Sequence, residues 1–405
     1  MFLLSHYKVL LSLLAYLITS DFFCDNRTSI FINGFNIRNS YNKLTSSSAI
    51  ADYPTFNIMS NTKVEWPKVL TMKDFNLLHI EDFYPALGRT LLDVVEAWNP
   101  DVQEPPSVFL EELQHLNFSD PVEREIAERL RDLEVPFKIY GFNGLDDVIR
   151  KWTDDYLIKN IDRDNVERSK TNHFMYWADK GSRNPEGYIG PTDRVDMSFS
   201  SWLANAKRAD AERYPNDKEH LYFHLSTRSR REKLFINKDL AFLSTEQPNF
   251  WISRPSDNKG IQCRLGMRGI IAESHFDHGR NTICMIKGNK RYILNPPESC
   301  KHLGVISDRN HPSYRHSVFD WSDVEQAKSH GFNKVKAIDT IVREGEVLYI
   351  PSYWLHYVIS LQYSIQCNSR SGAPESEKGQ SHANECVDRL NFKRNSKKKK
   401  KDKHI

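Results

Sequence analysis

Residues 265–297 read LGMRGIIAESHFDHGRNTICMIKGNKRYILNPP, and the fold is decided here. Apolar, β-branched runs at 261–276, 281–287 and 290–294 are separated by turn residues, which predicts successive strands. Gly288-Asn289 between two of them is a two-residue hairpin signal. Outward from this stretch, strands are expected at 221–225 and 249–253 on one side, and at 346–350, 356–360 and 363–368 on the other. Phe137–Tyr140 and 172–177 read as further strands, and 146–156 and 199–206 as helices. Short strands at this spacing imply a β-sandwich or barrel, whereas strands alternating with long helices would imply a parallel sheet. The expected fold class is mainly β with flanking helices.

The 405 residues include 22 Phe, 17 Tyr and 8 Trp, with 39% hydrophobic residues, enough for a sizeable core, so wholesale disorder is excluded. No internal apolar run approaches the roughly 18 to 20 residues of a spanning helix, which excludes a multi-pass membrane protein. The net charge is +3, but residues 393–405 hold eight Lys or Arg against one Asp, so the rest of the chain is net negative. A mildly acidic body is a poor match for nucleic acid, and no nucleic-acid partner is expected.

The six cysteines, at 24, 263, 284, 300, 367 and 386, form no CxxC pair and no zinc-finger spacing. A disulfide scaffold is not expected at this density, and Cys284 and Cys367, inside apolar runs, read as small buried hydrophobes. Residues 1–20, MFLLSHYKVLLSLLAYLITS, have the charged start, apolar centre and small-residue end of a secretory signal peptide, with a short membrane anchor as the alternative. Sequons start at Asn26 and Asn117. The expected location is therefore the secretory pathway, in the endoplasmic reticulum lumen or secreted, with N-terminal membrane anchoring as an option. The lysine-rich end supports a nuclear address as the rival.

Along the chain, 21–65 is polar and reads as a linker, and 66–135 as a helical region broken by Pro105-Pro106. The region 136–372 carries the strands, and 373–405 is a polar, basic, unstructured tail.

His275-Phe276-Asp277 ends a strand-like run. Alternation puts His275 and Asp277 on one face and Phe276 and His278 on the other, so His278 is not read as a ligand. His356, opening a strand after the run Gly345 to Pro351, is the candidate third ligand. Two imidazoles and a carboxylate form the facial triad of non-haem Fe(II) oxygenases, with three positions left open. Lys290, just past the Gly288-Asn289 turn, is either an ordinary solvated lysine or an inward-pointing cation for a cosubstrate carboxylate. Tyr353, Trp354 and Tyr357, flanking the second histidine, either wall the site or pack the barrel rim.

The segments 265–297 and 345–368 together resemble the JmjC-type (cupin-like) 2-oxoglutarate-dependent oxygenases, above all their asparaginyl-hydroxylating branch. The resemblance covers about residues 136–372 and implies a double-stranded β-helix (jelly-roll) barrel as the catalytic domain. It implies His275, Asp277 and His356 as ligands of Fe(II), with 2-oxoglutarate as cosubstrate and O₂ as oxidant. Lys290 matches the lysine on the cosubstrate's distal carboxylate, Tyr222 a tyrosine supporting it, and Asn281 and Asn368 inward-facing asparagines near cosubstrate and metal. One departure stands out: the family threonine three residues before the first histidine is Ala272 here. The implied activity is hydroxylation of a side chain in a protein or peptide substrate. Lysine demethylation ranks lower, because a secretory signal would keep the chain from chromatin, and a non-catalytic cupin-like binding module is the reading from another class. The insert 298–343 is a candidate for substrate specificity.

Overall fold

The turn at Gly288-Asn289 hands the chain from one sheet to another and closes no hairpin. Asn281–Lys287 pairs with Val347–Ile350 and Ser364–Ser371, whereas Lys290–Asn295 pairs with Ile338–Val342 and Leu355–Ser360. The hairpin expectation is thus corrected. Nearly every residue of both strands is buried, so each must be covered on two faces and flanked on two edges, which a hairpin alone does not supply. Gly288 makes the sharp corner with φ +71°, and a Cβ there would strike the Tyr363 carbonyl oxygen.

The computed structural model describes residues 59–68, 70–71, 89–176, 189–227, 234–308 and 310–372, all within the unit Tyr53–Ile405. The signal peptide or anchor at 1–20, the linker up to residue 58 and the tail 373–405 lie outside the described residues. Among the described residues, no helix is long and apolar enough to cross a membrane.

A five-stranded sheet has the order Ile338–Val342, Lys290–Asn295, Leu355–Ser360, Ile271–Phe276, His173–Phe174. A nine-stranded sheet runs His115–Asn117, Phe137–Tyr140, Val347–Ile350, Asn281–Lys287, Ser364–Ser371, Asn258–Gly266, His220–Ser226, Arg163–Ser169, Asp193–Ser198. From Asn258 onward the chain alternates between the sheets at nearly every turn, the winding of a double-stranded β-helix. Ile283, Met285, Leu348 and Ile350 from the larger sheet meet Tyr292, Leu294, Ile338 and Val358 from the smaller, forming the apolar part of the barrel interior.

The outer faces are covered differently. Phe199–Glu212, capped by Ser198, buries Phe199, Trp202 and Ala206 against the larger sheet, and the Trp202 indole donates to the Leu221 carbonyl at 2.9 Å. Leu91–Ala97, with a Thr90/Asp93 capping box, packs Leu91, Val94 and Val95 into a second core with Ile293, Trp321 and Ile359.

Several local expectations are revised. The region 66–135 does hold Leu91–Ala97 and Pro121–Asp132 as helices, but strands Val108–Leu110 and His115–Asn117 lie between them. Val108–Leu110 pairs in parallel with Lys63–Glu65, so the predicted linker ends in a strand. The helix expected at 146–156 is two, Asn143–Lys151 and Asp154–Asn160, because Thr153 is extended and its hydroxyl caps the second. No strand forms at 249–253, where the Asn249 side-chain oxygen accepts from the backbone of Trp251 and Ile252 and winds a turn. The run 261–276 is two strands, broken at Gly269 with φ +84°. Arg163–Ser169 and Asp193–Ser198 escaped notice because charged pairs such as Arg163–Asp196 replace apolar alternation.

The cysteine reading is corrected as well. Cys367 is disulfide-bonded to Cys263, directly opposite it on the neighbouring antiparallel strand with Cα atoms 4.0 Å apart. Cys300 is also disulfide-bonded. Cys284, facing Cys367 from the other side, is the buried free thiol the sequence suggested, its pKa pushed up by burial.

Candidate metal centre

His275 and His356 sit opposite each other in register on the antiparallel strands Ile271–Phe276 and Leu355–Ser360. An irregularity between Ala272 and His275 turns the end of the first strand. Asp277 follows at once, and Tyr353 donates its backbone N–H to the Asp277 carbonyl at 2.8 Å, tying the two strand ends together. One potential ligand atom from each of His275, Asp277 and His356 lies within 4.8 Å of the others. His356 Nε2 is 4.0 Å from Asp277 Oδ2, and the two imidazole centroids are 4.2 Å apart.

The tautomers follow from the backbone. His275 Nδ1 lies 2.8 Å from the Glu273 carbonyl and His356 Nδ1 3.1 Å from the Trp354 carbonyl. A carbonyl only accepts, so both Nδ1 atoms carry the hydrogen and both Nε2 atoms present a lone pair. Burial, with His356 and His316 nearby, holds His275 well below the ordinary histidine value; burial also lowers His356 against the pull of Asp277. Burial alone would raise Asp277, but Arg370 and Arg315 outweigh it and hold the carboxyl well below its usual range. Two neutral imidazoles and one carboxylate, convergent, with Asp277 and His356 buried and His275 half-buried, are a donor set that fits a divalent first-row metal.

The carboxylate is held from several sides. Arg315 Nη1 lies 2.9 Å from Oδ1, and Arg370 Nη2 lies 2.6 Å from Oδ2. Asn281 Nδ2 approaches Oδ2 at 3.4 Å, and Asn368 Nδ2 donates to Asn281 Oδ1 at 2.9 Å. Asn281 and Asn368 therefore act on the candidate metal site through Asp277.

Lys290 is fully buried, against the solvated alternative, and Nζ donates to the Tyr222 hydroxyl at 3.3 Å. Burial, with Arg264 adding to it, pushes the Lys290 ammonium down to about 7, and burial pushes the Tyr222 hydroxyl up. Ala272 packs against the barrel interior with no hydroxyl to offer.

Arg315, Arg370 and His316 were not anticipated. Arg370 was within reach of strand alternation, lying two residues past Asn368 on the same face. Arg315 and His316 come from the insert, whose route has no periodic signature. His316 stacks on His275 at 4.9 Å and 22°, and Arg315 adopts φ +78° while also donating to the Phe276 carbonyl at 2.6 Å. The aromatics beside His356 are packing residues: Trp354 in the barrel interior, Tyr357 stacked on Trp321 at 4.8 Å, and Tyr353 against Phe276 at 6.1 Å. His278 is exposed.

Comparison with known proteins agrees with this architecture. The cupin-like domain family matches residues 123–369. The chain is 23% identical over 208 residues to tRNA wybutosine-synthesizing protein 5 of Danio rerio, covering 48% of this chain and 61% of that protein. It is 31% identical over 109 residues to JmjC domain-containing protein D of Dictyostelium discoideum, covering 27% of this chain and 24% of that protein. It is 23% identical over 214 residues to the human bifunctional peptidase and (3S)-lysyl hydroxylase JMJD7, covering 44% of this chain and 68% of that protein. The first two alignments span less than two thirds of the relatives' own lengths. The family match takes in more than half of the 405 residues, and the chain belongs to the cupin-like domain family.

Proposed function

We propose that this protein is an Fe(II)- and 2-oxoglutarate-dependent oxygenase that hydroxylates a side chain of a protein substrate. The carrying observation is the convergence of His275, Asp277 and His356, with both Nε2 atoms turned to one point, in a barrel that also encloses Lys290. When bound, Fe(II) with 2-oxoglutarate and O₂ supplies an oxidation that puts one oxygen atom into a substrate C–H bond and the other into succinate, releasing CO₂. His275, Asp277 and His356 would hold the ion. Arg315, Arg370 and Asn281 keep the Asp277 carboxylate ionised and oriented. Lys290, steadied by Tyr222, would take the distal carboxylate of the cosubstrate, and the enclosing apolar residues limit the water that reaches the site.

The disulfides at Cys263–Cys367 and Cys300 support a protein that matures in an oxidising compartment, in keeping with the secretory reading. The test is succinate formation from 2-oxoglutarate by the Fe(II)-loaded chain, with candidate secretory-pathway proteins as substrates and mass spectrometry of the products. A gain of one oxygen is the expected result. Loss of a methyl group from a methylated lysine would favour demethylation, and 2-oxoglutarate binding without turnover on any protein would favour a binding module.

A further inference from the structure

The barrel interior holds one cation that the reading above does not use. Arg264 lies on Asn258–Gly266, in register with His224 on one neighbouring strand and Gln366 on the other. Directly opposed residues share a face, so all three point to the side that carries Tyr222, whose ring meets His224 at 4.6 Å. On the other flank, Gln366 accepts from the Tyr292 hydroxyl at 2.5 Å, and Tyr292 lies two residues beyond Lys290 on the same strand face. Arg264 is thus flanked by His224, which meets the Tyr222 that holds Lys290, and by Gln366, which meets Tyr292 on the Lys290 strand face.

Its hydrogen-bond partners are neutral and few, and the Glu167 carboxylate acts on it from the strand beyond Tyr222. The guanidinium donates to Gln262 Oε1 at 3.1 Å and to the Cys263 carbonyl at 3.4 Å, and among the described residues it makes no ion pair. Lys290 likewise has a phenol as partner. Two enclosed cations set against the one nearby carboxylate not already gripped elsewhere, Glu167, opposite Tyr222 in register, are costly unless a further anion joins them. Within reach of both stands Tyr222, and Ala272 lacks the hydroxyl found there in the resembling oxygenases.

We propose that Arg264 is the second cation on the distal carboxylate of 2-oxoglutarate, substituting a charge for the hydroxyl absent at Ala272. The inference rests on the oxygenase reading and deepens it. A guanidinium fork beside an ammonium favours a cosubstrate with two carboxylates over a 2-oxo acid with one.

The test is titration calorimetry on the intact Mn(II)-loaded chain with two probes, 2-oxoglutarate and 2-oxopentanoate, which carries a methyl in place of the distal carboxylate. Arg264→Gln should weaken 2-oxoglutarate roughly ten- to a hundred-fold and leave 2-oxopentanoate unchanged. The ligand-free melting temperature should change little, because relief of the repulsion on Lys290 is offset by loss of the cation near Glu167. Arg264→Lys should retain most of the affinity. Ala272→Thr should recover more affinity in the Arg264→Gln background than it adds to the parent. Equal weakening of both probes, or unchanged 2-oxoglutarate affinity, would overturn the assignment. So would a fall in the ligand-free melting temperature with no rescue by Ala272→Thr. If Lys290→Ala loses 2-oxoglutarate while Arg264→Gln keeps it, only the Arg264 role fails. If the parent binds no 2-oxoglutarate at all, the oxygenase reading fails with it.

Discussion

Arg370 and Arg315 grip opposite oxygens of Asp277, at 2.6 and 2.9 Å, although one arginine comes from a barrel strand and the other from the insert. A buried carboxylate between two guanidinium groups stays ionised whether or not a metal is near it. The same grip means that removing the carboxylate leaves two half-buried positive charges facing each other without their shared partner.

The purified chain should accordingly bind one Fe(II) or Mn(II), and Asp277→Ala should abolish that binding and also lower the melting temperature. Asn281→Ala removes a contact behind the ligand and should weaken metal by roughly 10- to 100-fold. Metal content by elemental analysis and Mn(II) titration followed by electron paramagnetic resonance measure both. Unchanged stoichiometry in Asp277→Ala would remove it from the metal site.

The cosubstrate affinity should depend on pH through Lys290, which faces Arg264 and Tyr222. Its pKa falls from 10.5 to about 7 in the folded chain. Between those values the unfolded chain binds more protons than the folded one, so the ligand-free protein gains stability as pH rises through that window. A bound carboxylate restores the ammonium, so binding above pH 7 takes up a proton. Affinity for 2-oxoglutarate should then fall above about pH 7, by up to about tenfold per pH unit. Calorimetry at pH 8 in two buffers of different ionisation enthalpy should show proton uptake that Lys290→Met abolishes.

Reduction should destabilise the barrel. The Cys263–Cys367 bond joins residues 104 apart in sequence, and such a closure contributes about 2–4 kcal/mol. Cys367→Ser should lower the melting temperature by of the order of 10 °C, and a reductant should do the same to the parent. A parent whose melting curve ignores the reductant would show that the bond does not form in solution.

The secretory reading predicts a mature chain that starts near Asp21 and bears a glycan at Asn26 or Asn117 when made in a glycosylating host. Ser119 of the second sequon is exposed, and Asn117 is partly so. N-terminal sequencing and glycosidase digestion decide it: retained Met1, no glycan and a nuclear pool would give the basic tail control of location.

The local pattern alone was enough for the strands expected at 281–287, 290–294, 346–350, 356–360 and 363–368, which form within one to three residues of those bounds, because apolar residues recur through them and nearly every residue is buried. It was also enough to put His275 and Asp277 on one side of a strand, since alternation is a property of the extended backbone itself. His356 stood out as the third ligand by opening a strand after the 345–351 run, whereas the placement of Lys290 next to Tyr222 came from resemblance, and the folded chain brings His356 to His275 and Lys290 to Tyr222.

What only the tertiary structure decided is who neighbours whom across strands. Gly288-Asn289 carries the same local signal whether it closes a hairpin or turns a corner between sheets; the outcome depends on which distant strands flank the two arms. Cys263 and Cys367 are ordinary apolar-run cysteines until register sets them face to face. Arg315 reaches Asp277 from an insert with no periodic pattern, and Arg264 is an ordinary polar residue in an alternating strand until Lys290 is brought into the same interior. Side-chain periodicity is written in a few consecutive residues, but register, disulfide partners and the charge around a buried group depend on segments a hundred residues away, whose positions are set by the packing of the whole barrel.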